Sequence, residues 1–493
     1  MAALVLIPSV SFAQKVNILT EKTASNREQY AAEYLQKKLN RMGFSAVVNG
    51  KKGEYRISLS QAKDTAGLKK EGFSWTRKGK KIQLQGNDGS GVIYGCNEIA
   101  EYVAQHGSLN VPLMQEDAPE MVLRGACVGL QKTVYLPGHQ VYEYPYTPEN
   151  FPWFYDKEQW ILYLDMLVDN KMNSLYLWNG HPFASLVKLK DYPFALEVDE
   201  ATFKKNEEMF SFLTREADRR GIFVIQMFYN IILSKPFADH YGLKTQDRHR
   251  PITPLISDYT RKSVAAFIEK YPNVGLLVCL GEAMNTYEDD VEWMTDEPPV
   301  LLRAHDTDCK MVMEAALPLY KNLYTMHKYN GESLTTYQPR GPWTKIHTDL
   351  AALGSTHISN VHILANLEPF RWSSPSFVQK AVTAMHDVHH ANALHLYPQA
   401  SYWDWPYTAD KLPGGKREKQ LDRDWMWYKT WGRYAWNCRR DVAAEGNYWD
   451  KVLADYYASD AAVADSIRKA YDESGEIAPK LLRRFGITEG NRQ

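Results

Sequence analysis

From about residue 123 onward, the chain repeats one pattern: a short apolar run, a loop, and a stretch with helical periodicity. Recurrence at intervals of roughly 40 residues indicates parallel βαβ units, in which each strand returns to the same sheet through a helix. The apolar runs are LRGACVGLQK, NSLYLWNGHPF, IFVIQMFYN, VGLLVCLGEA, SLTTYQPRG, NVHILANLEPFRW and ALHLYPQASYWDW, and we expect an eighth within 424–436. Eight such units predict a (β/α)8 TIM barrel. The alternative, a doubly wound open sheet, lacks a dinucleotide fingerprint after any of these runs.

Two other kinds of sequence flank the barrel pattern. Residues 15–118 alternate short strand patterns with an amphipathic helix, NREQYAAEYLQKKLNRMG, and predict a small α/β domain. Residues 119–436 then form the barrel, and residues 437–493 have the pattern of a helical region. Because this region stops without a closing element, we expect that it is truncated.

The first residues resemble a secretory signal. Residues 1–14, MAALVLIPSVSFAQ, combine an apolar core with small residues, Ser11 and Ala13, before Gln14. A basic n-region is missing, so a short buried strand is the alternative interpretation. No later stretch reaches the ~18 apolar residues of a membrane span. We therefore expect a secreted or periplasmic protein.

Composition argues against some classes of function. Lysine plus arginine (58) nearly balances aspartate plus glutamate (59), whereas a nucleic-acid partner would require a basic face. The five cysteines show neither a disulfide framework nor zinc-ligand spacing. His386 and His390 have the spacing of a helical metal pair but lack the HExxH glutamate. We expect neither a metal nor another cofactor.

Polar and aromatic side chains follow the apolar runs, at the end of the barrel where an active site lies. Aromatic rings stack on the C–H faces of sugars, and amides orient hydroxyl groups, so this set predicts a polyhydroxylated substrate, an oligosaccharide or polysaccharide. The predicted substrate-binding residues are Trp178, Asn179, His181, Tyr229, Asn230, Asn285, Tyr337, Arg340, Arg371, Trp372, Tyr397, Trp403 and Asp404.

Two glutamates, Glu282 and Glu368, stand at predicted strand ends. Glycosidic cleavage uses two carboxyl groups: one protonates the leaving oxygen, and the other attacks the anomeric carbon or activates water. Glu282 follows the apolar VCLG directly, and apolar neighbours raise the pKa of a general acid. Asp404 is a rival for the second role. Whether the reaction retains or inverts the anomeric configuration stays open.

Arginines near the strands suggest a narrower substrate class. Arg340 and Arg371 follow two of the predicted strands, and Arg124 lies near the start of the first. An arginine fork binds a carboxylate with two hydrogen bonds, so a uronic acid would fit. The alternative to substrate binding is that these arginines hold the acidic residues in position.

The chain resembles secreted (β/α)8 glycoside hydrolases of gut Bacteroidetes that carry a small α/β domain in front. Its GNDGSGVIYGCNEIAEYV is similar to the closing turn and helix of that domain in hexosaminidases and in family 67 α-glucuronidases. The same turn alone could hold phosphate at a helix N-terminus, but it lacks the Walker lysine. The barrel has LGEAMN where hexosaminidases carry an Asp–Glu pair, and thus resembles the uronidases more. The family 138 α-galacturonidases, which act on pectin side chains, are close candidates.

The resemblance implies an exo-acting α-uronidase on plant polysaccharide fragments, either an α-glucuronidase or an α-galacturonidase. It also implies Glu282 as general acid and Glu368 as the second carboxylate. The helical tail, from YWDKVLADYY to SGEIAPKLLRRFGI, is similar to the region behind the barrel in the α-glucuronidase lineage. Two alternatives stay open: a β-N-acetylhexosaminidase or endo-acting N-glycan hydrolase, and a carbohydrate-binding barrel that has lost catalysis.

Overall fold

The structure is a computed structural model of the 493-residue chain. It describes residues 13–130, 144–230, 232–247, 249–279, 302–303, 324–331, 334, 336–353, 356–361, 373–397, 405–411 and 413–481. The chain divides into two compact units. The first runs to Pro119 and includes Arg219–Gly221, and the second comprises the rest. The sequence-based domain boundaries stay predictions.

The first unit is a six-stranded mixed sheet with two helices. Its strands are β1 (Lys15–Leu19), β2 (Ser45–Val48), β3 (Tyr55–Gln61), β4 (Phe73–Lys78), β5 (Lys81–Gly86) and β6 (Met114–Asp117), and its helices are α1 (Asn26–Arg41) and α2 (Gly89–His106). The sheet order is β2-β1-β3-β5-β4-β6, with β4 antiparallel to both neighbours. Alternation along β5, with Ile82 and Leu84 buried between exposed residues, marks one apolar face of the sheet.

In the glycine-rich turn before α2, a side chain of the turn itself occupies the free main-chain amide. Asp88 caps the helix by accepting a hydrogen bond from the amide of Gly91 at 2.8 Å. A Cβ at Gly91 would lie 2.0 Å from the carbonyl oxygen of Gly72, so glycine is needed for close packing. Because the Asp88 carboxylate would repel a phosphate and already binds this amide, a phosphate site at the turn is not supported.

The second unit holds eight parallel strands in one curled sheet. They are β7 (Leu123–Gly129), β8 (Ser174–Trp178), β9 (Phe223–Tyr229), β10 (Val274–Cys279), β11 (Leu302–Arg303), β12 (Tyr324–Lys328), β13 (Thr356–Val361) and β14 (Ala393–Leu396). The order β11-β10-β9-β8-β7-β14-β13-β12 pairs the first strand with the last, and Cα atoms of the two edge strands, β11 and β12, approach within 8 Å. This arrangement confirms the (β/α)8 prediction.

Helices connect the barrel strands along the described chain. They are α3 (Lys157–Asp169), α4 (Phe183–Leu186), α5 (Glu200–Asp218), α6 (Lys235–His240), α7 (Pro254–Lys270), α8 (Gly341–Ala351) and α9 (Pro375–Asp387). Side-chain caps define where several begin: the hydroxyls of Ser234, Thr253 and Ser374 accept hydrogen bonds from the first turns of α6, α7 and α9.

A hairpin and a helical region follow the barrel strands. The hairpin strands are β15 (Tyr407–Lys411) and β16 (Arg417–Lys419), and the helices are α10 (Gln420–Arg423), α11 (Trp425–Trp436), α12 (Val442–Tyr457), α13 (Ala461–Gly475) and α14 (Ile477–Leu481). Arg433 joins α11 to α12 through two hydrogen bonds to the Glu445 carboxylate, at 2.7 and 2.6 Å. Within the described ranges, the helices are too short or too polar to cross a membrane.

The positions of four strands differ from the sequence-based prediction. One is β13, which shares only Asn360 and Val361 with the predicted run NVHILANLEPFRW. The expected eighth strand within 424–436 is wrong, because these residues form α11, with Trp427 and Trp431 buried one helical turn apart. The described residues of SLTTYQPRG are not in a strand; β12 lies upstream, in YTMHK, and β11 was missed. Both YTMHK and the β13 segment THISNV are rich in polar residues, which hides the apolar periodicity of a strand.

Candidate active site

The inward-facing side chains of the barrel strands form one buried cluster. It contains Leu123, Cys127, Tyr176, Trp178, Ile225, Met227, Tyr229, Ile232, Leu277, Met326, Ile358, Ala393 and Tyr397. Successive residues of a strand point to opposite faces, so membership of this cluster identifies which residues of each strand face inward. The members nearest the carboxyl ends of the strands lie beneath the rim where substrates bind in this fold.

Three of the predicted site residues meet in this cluster. Trp178 ends β8, Tyr229 ends β9, and Tyr397 directly follows β14. The rings of Trp178 and Tyr397 contact edge to face, with centroids 4.6 Å apart. Each of the three side chains is at most 3% exposed, so they form an aromatic layer beneath the rim.

Asn179 and His181, also predicted, hold the chain that leaves β8. The Asn179 amide donates to the carbonyl oxygens of Leu130 at 3.2 Å and Tyr144 at 2.9 Å, and its oxygen accepts the His181 main-chain amide at 3.0 Å. The His181 Nε2 lies 2.9 Å from the Tyr259 hydroxyl. Burial lowers the pKa of His181 to about 3, so the ring stays neutral near pH 7. Both residues therefore stabilise the chain segment that follows β8 at the rim.

Three further predicted residues follow β9 and β12. Asn230 comes directly after β9 and is buried. The Tyr337 ring contacts Phe377, lies beneath the Lys380 ammonium at 4.6 Å, and its hydroxyl donates to Glu476 at 3.4 Å. Arg340 is half-buried and immediately precedes α8. These contacts direct Tyr337 toward α9 and away from the aromatic layer.

Arg124, considered for carboxylate binding, lies at the opposite end of the barrel. It is the second residue of β7, and its guanidinium donates to the carbonyl oxygens of Lys171 and Met121 at 2.8 and 2.7 Å. Strand β7 starts at this end, so Arg124 is remote from the rim and has a structural role.

The remaining predicted residues lie outside the described residues. They are Glu282, Asn285, Glu368, Arg371, Trp372, Trp403 and Asp404. Two of them follow described strands closely in the sequence. Strand β10 ends three residues before Glu282, and β13 ends seven residues before Glu368. Both glutamates therefore belong to segments that leave carboxyl ends of barrel strands.

Sequence reasoning missed three inward-facing polar residues, here called the inward polar row: Lys328, Asn360 and His395. They stand two residues after Met326, Ile358 and Ala393, members of the buried cluster, and therefore face inward. Strand register pairs Lys328 with Asn360 and Asn360 with His395. All three are buried. Assignment of YTMHK and THISNV as strands would have revealed Lys328 and Asn360, whereas His395 lies inside the predicted run ALHLYPQASYWDW and was overlooked there.

The outward face of the same strands carries a histidine cluster: His327, His347, His357 and His389. The His347 Nδ1 lies 2.7 Å from the His357 Nε2, and His347 stacks on His389 at 4.1 Å between centroids. Burial lowers the pKa of His357 to about 3 and of His389 to about 4, so these rings are neutral. Across the described ranges, no three metal-ligating side chains converge on one point.

Comparison with known proteins identifies the family. Residues 7–116 match a family model described as glycosyl hydrolase family 20, domain 2, and no curated protein matches the chain. A solved structure described as a GH138 enzyme targeting pectin rhamnogalacturonan II is 68% identical and superposes with a TM-score of 0.92. The match covers 97% of this chain and 72% of that one. The chain belongs to glycoside hydrolase family 138.

More distant structures share the fold of this family 138 hydrolase. A family 115 4-O-methyl-α-glucuronidase with specificity for decorated arabinogalactans is 12% identical with a TM-score of 0.55, covering 94% of this chain and 62% of that one. The Streptomyces plicatus N-acetyl-β-hexosaminidase is also 12% identical with a TM-score of 0.55, covering 95% of this chain and 92% of that one. These matches concern the fold alone. The resemblance to glycoside hydrolases on the uronidase side is confirmed by the family 138 membership.

Proposed function

We propose that this family 138 hydrolase is an exo-acting α-galacturonidase that removes galacturonic acid from fragments of the pectin rhamnogalacturonan II. The observation that carries the proposal is the 68% identity to an enzyme described as targeting this polysaccharide. The aromatic layer of Trp178, Tyr229 and Tyr397 lies beneath the rim where substrates bind in this fold and would form the packed floor of the proposed site.

In the proposed mechanism, Glu282 is the general acid and Glu368 the second carboxylate. They follow β10 and β13, whose carboxyl ends share one rim of the barrel. Glu282 protonates the glycosidic oxygen, while Glu368 either attacks the anomeric carbon or activates a water molecule. A separation of about 5–5.5 Å between the carboxyl groups corresponds to retention and about 6.5–9.5 Å to inversion.

The other predicted residues at the rim would hold the sugar ring. Trp372 and Trp403 supply stacking surfaces, Asn285 a hydrogen-bonding amide, and Arg371 a cation. Asp404, after the last strand, is the alternative second carboxylate. Asn179 and His181 support these contacts indirectly, through the bonds that hold the chain after β8.

The test is hydrolysis of rhamnogalacturonan II oligosaccharides, with release of galacturonic acid followed by chromatography. We expect Glu282→Gln and Glu368→Gln to lose about 10²- to 10⁴-fold in kcat, while thermal unfolding is unchanged. Asp404→Asn separates the two candidates for the second role. Undiminished release by both glutamine variants would overturn the site assignment, and no release by the parent protein would overturn the proposed function.

The same assay distinguishes the alternatives. Release of N-acetylhexosamine from acetamido substrates would identify a hexosaminidase, which the shared fold and the family 20 domain match over residues 7–116 support. Binding of oligosaccharides without release of any sugar would identify a carbohydrate-binding barrel.

We also propose that the enzyme is exported. The support is the apolar segment of residues 1–14 with small residues before Gln14. Expression of the full sequence in a Gram-negative host, followed by fractionation and N-terminal sequencing, should recover a periplasmic protein that begins near Gln14. An intact N-terminus in the cytoplasmic fraction would contradict export.

A further inference from the structure

We propose that the polar face of the six-stranded sheet in the first unit is a second carbohydrate-binding site, which takes an acidic segment of a polysaccharide. This goes beyond the proposed function, because the site lies in the first unit and does not depend on which glycosidic bond the barrel cleaves. The site is the polar grid, nine side chains of three neighbouring strands: Arg56, Ser58 and Ser60 on β3, Lys81, Gln83 and Gln85 on β5, and Lys78, Thr76 and Ser74 on β4.

Strand register arranges the grid in three rows on one face of the sheet. The rows are Arg56–Lys81–Lys78, Ser58–Gln83–Thr76 and Ser60–Gln85–Ser74. Alternate residues of a strand share a face, so all nine side chains lie on the same side. Ile82 and Leu84, on the other side, are buried, and a Cβ added at Gly95 of α2 would lie 2.4 Å from the Leu84 side chain. Helix α2 therefore packs on the apolar side and leaves the grid side to another partner.

The first row places three cations directly opposite one another. Cross-strand neighbours of like charge destabilise a sheet, and none of these three side chains forms an ion pair with a residue that the structure describes. Lys80, in the turn between β4 and β5, does pair with a carboxylate, that of Glu54. A bound anion would give the first row the negative charge that the chain supplies to Lys80.

The other two rows each hold a glutamine between two hydroxyl residues. Hydroxyl and amide side chains both donate and accept hydrogen bonds, as sugar hydroxyls do. Across the described ranges, none of these six side chains bonds to another protein group. Together with Arg56 they line a groove of about 460 Å³, within the range of about 300–1,000 Å³ typical of ligand pockets. The groove therefore offers a sugar chain many unoccupied hydrogen-bonding groups.

The charges around the grid give the bound chain a direction. Positive charge is concentrated in the first row, whereas Glu116 of β6 stands opposite Ser74 of the third row. Glu21 also lines the groove and adds an acceptor for a hydroxyl group. An acidic sugar would thus place its carboxylate at the first row and its hydroxyl groups over the other two.

The composition of the grid favours a polysaccharide over other polyanions. Protein–protein interfaces are enriched in aromatic side chains, and single-stranded nucleic acids stack their bases on aromatic rings. The grid contains no aromatic side chain and no aliphatic one. Two rows of hydroxyl and amide groups next to one row of cations match a chain that carries both hydroxyl groups and carboxylates.

The experiment is isothermal titration of the full chain with oligogalacturonate and with the same oligomer after methyl esterification of its carboxylates. The two ligands differ in charge and share their ring hydroxyl groups. The variants are Arg56→Gln, Lys81→Gln, the triple variant Arg56→Gln/Lys78→Gln/Lys81→Gln, and Gln83→Ala/Gln85→Ala. The matched control is Lys37→Gln, because Lys37 is an exposed lysine of the same unit that lies on α1, outside the grid.

We expect the parent to bind the acid form more tightly than the ester, and added salt to reduce this preference because it screens exposed charges. Arg56→Gln and Lys81→Gln should each lose about 2- to 5-fold in affinity for the acid form, as for an exposed ion pair, and the triple variant about 10- to 100-fold. Gln83→Ala/Gln85→Ala should lose about 3- to 10-fold for both forms, since both carry the hydroxyl groups. Lys37→Gln should bind as the parent does.

The proposal is overturned if the parent binds the acid and the ester equally, or if the triple variant binds the acid form as the parent does. Poly-L-glutamate tests the ligand class. A parent that binds it as tightly as oligogalacturonate, with no effect of Gln83→Ala/Gln85→Ala on either ligand, has a general polyanion surface, and the polysaccharide assignment is then wrong. The grid side chains are exposed or half-buried, so thermal unfolding should be unchanged. The single variants carry the test if the triple variant does not fold.

Hydrolysis of rhamnogalacturonan II oligosaccharides by the parent separates this proposal from the proposed function. A parent that binds oligogalacturonate through the grid but releases no galacturonic acid contradicts only the proposed function. A parent that releases it, while the triple variant keeps full affinity for oligogalacturonate, contradicts only the second binding site.

Discussion

Two fully buried asparagines at the carboxyl ends of barrel strands, Asn179 and Asn360, differ in their hydrogen-bond partners. Asn179, after β8, uses both its amide nitrogen and its oxygen within the protein. Asn360, in β13, uses neither among the described residues. The same residue type, at the same depth and the same end of the barrel, is thus satisfied in one place and unsatisfied in the other.

The difference separates a side chain that stabilises the fold through hydrogen bonds from one that does not. Hydrogen bonds between buried groups stabilise a fold modestly, but a group left without a partner costs its full desolvation energy. Asn179 therefore stabilises the connections at the rim, whereas Asn360 makes no such bonds to the described residues.

The largest expected effect is the loss of stability in Asn179→Ala. The substitution removes three hydrogen bonds and leaves the carbonyl groups of Leu130 and Tyr144 without this donor. We expect the free energy of unfolding, measured by urea denaturation, to fall by about 2–4 kcal/mol. A loss no larger than that of Asn360→Ala would remove the distinction between the two sites.

A fall in pH should destabilise the protein through a second buried side chain beside Asn179, that of His181, and the effect should be of intermediate size. Burial holds the pKa of His181 at about 3, below its ordinary value of 6.5. Protonation therefore favours the unfolded chain: the stabilising contribution is complete above about pH 6.5 and is lost as the pH falls toward 3, by about 1.4 kcal/mol per pH unit. His181→Phe keeps a ring against Tyr259 and should reduce this loss.

The measurement compares unfolding free energies of the parent and His181→Phe at about pH 7 and about pH 5, outside and inside the titration window. The buried His347, His357 and His389 contribute to both proteins alike, so their contribution cancels in the difference. His106→Phe, at an exposed position on α2, is the control. A parent-to-variant difference that is the same at both pH values would contradict a neutral His181.

The fold was predictable where one face of each element is apolar. The repeating strand and helix patterns from Leu123 onward identified the barrel, and β7 to β10 fall within the predicted apolar runs. Strand β12 was missed because its inward Lys328 and its outward His327 are both polar, which leaves no alternation to detect. The Trp-rich α11 was misassigned because buried aromatic residues suit strands as well as helices.

The site was predictable in position but not in the role of each residue. The rule that strand ends carry function located Trp178, Tyr229 and Tyr397, which meet in one buried cluster. It could not show that Asn179 binds main-chain carbonyl groups or that Tyr337 contacts α9, because those partners are distant in sequence. The assignments of Glu282 and Glu368 stay predictions, since both lie outside the described residues.

The smallest expected effect on stability, and the sharpest contrast, belongs to Asn360→Leu. A leucine of similar shape removes the unsatisfied amide and keeps the packing, so the free energy of unfolding should change by less than about 1 kcal/mol, and toward greater stability. Urea denaturation of the parent, Asn360→Leu and Asn179→Ala under the same conditions measures the change. Destabilisation as large as in Asn179→Ala would mean that Asn360 supports the fold, and the two asparagines would then have one role rather than two.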